Sequence, residues 1–198
     1  MTIVGLTGGF GTGKTTVARM LGKMGARVID VDAISHALAK PSKPLWEKYV
    51  RVFGHEVLNT DQTINRKKIA AIVFSDKKKL SRLVRFSHPL ILSEMRRQIT
   101  SAQKKNRLVV VDLPLLFEDH LEREFDSVLV VLANRTNVLR RIVQDRSMTP
   151  TEIRARIQSQ KPLSLKKKRA DFVIDNNQTP RRTKKQARAV YALLAPKP

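Results

Sequence analysis

The segment from Gly8 to Thr15, Gly-Gly-Phe-Gly-Thr-Gly-Lys-Thr, constrains the fold more than any other part of the chain. It fits G-x-x-x-x-G-K-[ST] in full, and each position has a physical task. The glycines let backbone N–H groups turn inward, where side chains would block phosphate oxygens. A helix opening at Lys14 adds the positive end of its dipole. The Lys14 ammonium suits β and γ phosphates, and the Thr15 hydroxyl suits Mg²⁺. Gly11, Thr12, Gly13, Lys14, Thr15 and Thr16 are therefore the candidate nucleotide-binding residues. The flanks agree. Ile3–Leu6 is an apolar strand, and Val17, Met20 and Leu21 recur at helical spacing from about Lys14 to Lys23, where Gly25 ends the helix. The plainer alternative, a glycine-rich turn, does not account for these flanks. Together they imply a nucleoside triphosphate held by its phosphates.

The rest of the chain reads as a parallel α/β core with an insertion. Arg27–Ile29 forms a second strand and ends in Asp30-Val31-Asp32, a βαβ start that implies a parallel sheet covered by helices. Residues 33–105 read as mostly helical. Pro41 and Pro44 punctuate them, Asn59-Thr60-Asp61 has turn composition, and Pro89–Gln103 carries Leu92, Met95 and Ile99 near helical spacing. The core resumes at Leu108–Val111, a buried-strand pattern that ends in Asp112, and continues at Val128–Leu132. A basic helical stretch covers about Thr136 to Arg169, with breaks near Pro150 and Pro162. A short strand, Phe172–Ile174, precedes the turn residues Asp175-Asn176-Asn177, and Pro180–Leu194 is the last helix. The expected fold is α/β: a P-loop-type three-layer α/β/α core from 1–32, 106–135 and 170–198, a helical substrate region at 33–105, and a helical lid at 136–169.

The candidate chemistry follows from this layout. In open α/β sheets, ligands bind outside the carboxyl ends of the strands, so Asp30 and Asp32 share an edge with the glycine loop. A carboxylate there can take a proton from an attacking hydroxyl. Asp32 can equally cap a helix opening at Ala33-Ile34-Ser35. Asp112 also ends a strand, where a second acid orders a Mg²⁺ shell or simply starts a turn. His36, His55, His88 and His120 show no metal-ligand spacing. In a lid, Arg140, Arg141 or Arg146 would bring positive charge to a moving phosphoryl group, whereas on a solvated face they would not.

Composition narrows the setting. There is no cysteine, which removes disulfides and thiolate metal sites. Thr2–Leu6 leaves no room for a leader, and no stretch of about eighteen apolar residues occurs, so the expectation is a cytoplasmic protein without a membrane span. Lys and Arg number 39 against 17 Asp and Glu, a formal charge of +22. Such a field permits nonspecific binding of nucleic acid. Aromatics are only 5% of the chain, so no base-stacking platform is apparent.

These pieces together resemble the dephospho-CoA kinase family over nearly the whole chain. The resemblance rests on Leu6–Thr16, Val28-Ile-Asp-Val-Asp32 with Ile34, Phe53-Gly54, Ile64-Asn-Arg66 and Val73-Phe74. It continues through His88-Pro89, Pro114-Leu-Leu-Phe-Glu118, Arg141, Gln160 and Ala170-Asp-Phe-Val-Ile-Asp-Asn176. It implies transfer of the ATP γ-phosphoryl to the ribose 3′-hydroxyl of dephospho-CoA, with Mg²⁺, and no specific nucleic-acid or membrane partner. It also implies Asp32 as general base, Lys14 and Arg141 as catalytic cations, and His88-Pro89 near the acceptor. Monomer and small homo-oligomer both stay open. The chain departs from the family pattern at Phe10, where a smaller aliphatic residue is usual, and at Asp145-Arg146, where Arg followed by Asp is usual.

Overall fold

The computed structural model describes residues 1–144, 153 and 157–195. Its elements run β1 (Thr2–Gly8), α1 (Lys14–Lys23), β2 (Arg27–Asp30), α2 (Val31–Leu38), α3 (Pro44–Phe53), α4 (Arg66–Phe74), α5 (Lys77–Gln103), β3 (Leu108–Asp112), β4 (Ser127–Leu132), α6 (Arg135–Gln144), α7 (Leu163–Lys168), β5 (Phe172–Asp175) and α8 (Pro180–Leu194). The expected break at Pro150 and the departure at Asp145-Arg146 lie outside the described residues.

Five strands form one sheet in the order β2-β3-β1-β4-β5. β1 runs parallel to β3 and to β4, and β4 runs parallel to β5, with Leu6 opposite Asp112 and Gly8 opposite Val131. A strand covered on both faces needs apolar residues throughout, and β3 is buried along its whole length. On one face Val4, Leu6, Leu108, Val110, Leu129, Val131 and Ile174 pack with Val17 and Leu21 of α1 and with Ala187, Val190 and Leu194 of α8. On the other, Gly5 lets Leu116 and Phe125 lie against the strand. A Cβ there would stand 2.5 Å from Leu116 Cδ1. This is the three-layer α/β/α fold of P-loop kinases. Leu21 is fully buried in it, so Leu21→Ala should cost about 2–5 kcal/mol in a denaturant titration.

The chain divides into two compact units, Met1–Ile29 with Ile99–Pro198, and Asp30–Gln98. The second is helical apart from an isolated Leu58–Ile64 bridge. Its core gathers Leu45, Phe53, Val57, Leu58, Ile64, Ile69 and Val73. Tyr49 meets Phe86 edge-on at 5.5 Å. The expected turn forms, with the Asn59 N–H donating to Thr63 O and the Thr63 N–H donating to the Asp61 carboxylate.

Helix α5 starts well upstream of the Pro89–Gln103 stretch that spacing suggests, and Pro89 lies inside it. An interior proline costs about 3 kcal/mol. Leu83, Phe86, Leu90 and Ile91 pack against the unit's core around it. At about 1.5–3 kcal/mol for each fully buried apolar side chain, even partial burial of the four offsets the proline.

Farther along α5, Arg97 donates to both Glu94 carboxylate oxygens at 2.7 Å, and Gln98 adds a third bond. The Arg97 bonds, then the Gln98 bond, hold the Glu94 carboxyl down at about 2, against an ordinary 4.5. Its pKa is depressed, so the stabilisation is complete above the ordinary value and lost as pH falls toward the folded one. We expect Glu94→Gln to remove a small acid-dependent loss of melting temperature in that window. The effect is small because Arg97 is exposed.

Candidate active site

The glycine loop leaves the end of β1 and turns into α1 at Gly13, whose φ of 87° is left-handed. No side chain caps this helix, as in α3 and α7 and unlike α2, α4 and α8, which Asp30, Asn65 and Thr179 cap, and it is the one of the three that opens from a left-handed glycine. The first-turn N–H groups of a helix have no acceptor within it, so an uncapped start facing a loop suits an anion. Thr15 and Thr16 are exposed there, while Thr12 is buried. The Thr12 hydroxyl donates to Gly9 O at 2.8 Å. Of the expected nucleotide-binding residues, Thr12 therefore shapes the loop with its side chain.

Three side chains fix the loop from outside. The Thr12 carbonyl accepts from Asn176 Nδ2 at 2.8 Å and from Arg141 Nη1 at 3.2 Å. Arg141 Nη2 donates to Asn176 O at 2.7 Å, and the Thr183 hydroxyl holds Asn176 Oδ1 at 2.8 Å. These bonds orient the peptide that leads into Gly13. Gln160 Oε1 accepts from the Phe10 N–H at 2.8 Å, and the Phe10 ring packs with Ala133, Val138, Ile142 and Ile153. The departure at Phe10 thus anchors the loop in an apolar cluster that includes α6. A Cβ on Gly13 would stand 2.2 Å from Asn176 Nδ2. Gly13→Ala should therefore lose about 1–2 kcal/mol to the left-handed backbone alone, and ATP affinity with it, read by melting and by nucleotide titration.

Arg141 was expected at the moving phosphoryl group. Here it spends two guanidinium N–H groups on main-chain carbonyls, out of five such donors on any arginine. Neither spacing nor composition marks Asn176, Thr183 or Gln160 as functional. Asn176 and Gln160 lie in the segments that carry the resemblance, which was the available signal.

The Lys14 ammonium is ion-paired with the Asp112 carboxylate, the last residue of β3, and both side chains are largely buried. The Pro114–Glu118 segment that follows β3 is tied to α7. Lys166 is fully buried and pairs with Glu118 at 2.9 Å, and Glu118 also accepts from the Lys161 N–H at 2.7 Å. Breaking a buried pair by removing one partner costs about 3–5 kcal/mol, so Lys166→Met should show a loss of that size in urea.

In the helical unit, Asp30 and not Asp32 is the N-cap, accepting from the Ala33 N–H at 3.0 Å. The capping alternative for Asp32 is thereby corrected. Asp32 is exposed in the first turn of α2, directly after Val31. His88 is half-buried in the middle of α5, and Pro89 is exposed beside it. Among the described residues no group of three His, Asp or Glu side chains could hold a metal ion. An exposed Thr15 hydroxyl and the Asp112 carboxylate are hard oxygen donors, which fit a Mg²⁺ that arrives with phosphate oxygens. No described helix is long and apolar enough to cross a membrane.

Comparison with known proteins agrees with this geometry. The family model described as dephospho-CoA kinase matches residues 2–181. A dephospho-CoA kinase of Shouchella clausii is 37% identical over 193 residues, 97% of this chain and 96% of that protein. A Thermus thermophilus crystal structure superposes with a TM-score of 0.85 at 30% identity, covering 98% of both chains. Dephospho-CoA kinase from Campylobacter jejuni does so at 0.73 and 26% identity, covering 98% of this chain and 96% of its own. With its loop, its sheet and these relatives in agreement, the chain belongs to the dephospho-CoA kinase family.

Proposed function

We propose that this protein transfers the γ-phosphoryl of ATP to the ribose 3′-hydroxyl of dephospho-CoA, giving CoA and ADP. The observation that carries the reading is the uncapped, left-handed start of α1 at Gly13, held open by Arg141 and Asn176 in a chain of this family. The loop N–H groups and Lys14 bind the triphosphate. Asp32 accepts the proton of the 3′-hydroxyl as its oxygen attacks the γ-phosphorus, and the bond to the β–γ bridging oxygen breaks, leaving ADP. Arg141 acts first on the loop, keeping the Thr12–Gly13 peptide oriented, and its positive charge would offset that of bound nucleotide. Thr15 and Asp112 would hold Mg²⁺, which when bound neutralises charge on the β and γ oxygens. Positioning and charge neutralisation supply most of the rate.

In this scheme Ala33–Lys105 receives the CoA moiety, with His88 and Pro89 near the acceptor, and 136–169 serves as lid. A cysteine-free chain using ATP fits the reducing cytoplasm. The alternative is a kinase of another nucleoside or nucleotide. The test is ADP release with dephospho-CoA, adenosine or AMP as acceptor. Turnover confined to dephospho-CoA supports the proposal, and turnover confined to adenosine or AMP replaces it.

A substitution separates the two jobs of Arg141. Arg141→Lys keeps a cation but loses the paired geometry on Thr12 O and Asn176 O. We expect the KM for ATP to rise about tenfold or more, matching the roughly 1.5–3 kcal/mol of a charged hydrogen bond, with a smaller fall in kcat. A fall in kcat alone would mean that Arg141 acts only in the transition state.

A further inference from the structure

The charge of +22 exceeds what two anionic substrates require, and its distribution is uneven. No Asp or Glu occurs in residues 1–29 or after Asp175. These stretches supply α1 and α8, which pack beside each other over one face of the sheet. Helix α8 buries Thr183, Ala187, Val190 and Leu194. Its opposite stripe carries Arg181, Lys184, Lys185 and Arg188, all exposed, at i, i+3, i+4 and i+7. Arg19 and Lys23 are exposed on α1.

This arrangement works against the helix. Like charges at i, i+4 repel, as in Arg181 with Lys185 and Lys184 with Arg188. Cations near a helix N-terminus oppose its dipole, and the first turn of α8 holds no acid to offset them. An anion laid along this face would relieve both the repulsion and the opposed dipole.

The chemistry of the stripe selects the anion. Arg181 to Arg188 spans about 10 Å of helix, long enough for several consecutive phosphates of a polymer. Among the described residues, Leu193 is the one large apolar side chain that α8 exposes, so the helix has no apolar face left for a lipid surface. With no aromatic residue in the stripe there is nothing to stack on bases. We propose that the α1–α8 face binds the phosphate backbone of double-stranded nucleic acid, independently of sequence and separately from phosphoryl transfer.

The test uses the full chain, a short labelled DNA duplex and fluorescence anisotropy over a salt series. We expect log K to fall linearly with log salt. Replacing Arg181→Gln, Lys184→Gln, Lys185→Gln and Arg188→Gln together should reduce that slope by about 3–4, near 0.9 for each phosphate no longer neutralised. kcat/KM for dephospho-CoA is read alongside and stays near that of the parent chain, since none of the four residues touches the glycine loop, and melting does not fall, since the substitutions relieve like-charge repulsion. A charge-keeping pair, Lys184→Arg with Lys185→Arg, retains the parent slope, and saturating ATP leaves the duplex bound. The proposal is overturned by absence of duplex binding at about 0.1 M salt, where an electrostatic footprint of this size persists. It is equally overturned by an unchanged slope in the fourfold variant, by displacement with ATP, or by tighter binding to phosphatidylserine vesicles than to the duplex.

Discussion

Asp32→Asn should keep ATP binding and lose most turnover, by about 10²–10⁴ in kcat, the usual contribution of a positioned general base. The substitution is nearly isosteric and removes only the ability to accept a proton. The geometry of α2 makes the experiment clean, because the cap of that helix is Asp30. Asparagine caps as well as aspartate, so Asp30→Asn serves as the control and should leave both fold and turnover close to the parent. An unchanged kcat in Asp32→Asn would remove the base from the mechanism. Equal losses in both variants would mean that the effect comes from disturbing α2.

Lys14→Met should lower kcat/KM by about 10²–10³, the usual loss when one preorganised donor to developing charge is removed. It should also destabilise the fold, by up to about 3–5 kcal/mol, because it breaks the largely buried Lys14–Asp112 ion pair. The two effects separate in the double variant. Lys14→Met with Asp112→Asn relieves the charge left at the end of β3 and should recover most of the stability, while the rate stays low. Recovery of the rate in the double variant would reduce Lys14 to a structural partner of Asp112.

The core was legible because its signals are local. A buried parallel strand reads as an unbroken apolar run, and Leu108–Val111 and Val128–Leu132 became β3 and β4 with at most one residue added at an end. Pro180 at the start and Leu194 at the end of α8 were readable from N-terminal proline preference and helical period. Elsewhere, tertiary structure overrode a local rule. Pro89 marks a break by propensity, yet α5 runs through it because apolar residues around it pack against the helical unit. Asp30 and Asp32 are equivalent as caps by composition, and only backbone geometry picks Asp30. The clamp on the glycine loop was invisible for another reason. Asn176 and Thr12 are 164 residues apart, and no spacing pattern reports a side chain donating to one distant carbonyl. Arg141 was found as a cation, but its partners, and so its work on the loop, follow only from the fold.

The most direct test of the proposed activity is the position of the transferred phosphate. The protein is incubated with Mg²⁺, dephospho-CoA and ATP labelled in the γ-phosphoryl, and the product is isolated and assigned by phosphorus NMR and mass spectrometry. The expected result is label on the ribose 3′-oxygen of CoA, with one ADP formed for each CoA. Label on any other oxygen, or ATP hydrolysis without a phosphorylated acceptor, would contradict it.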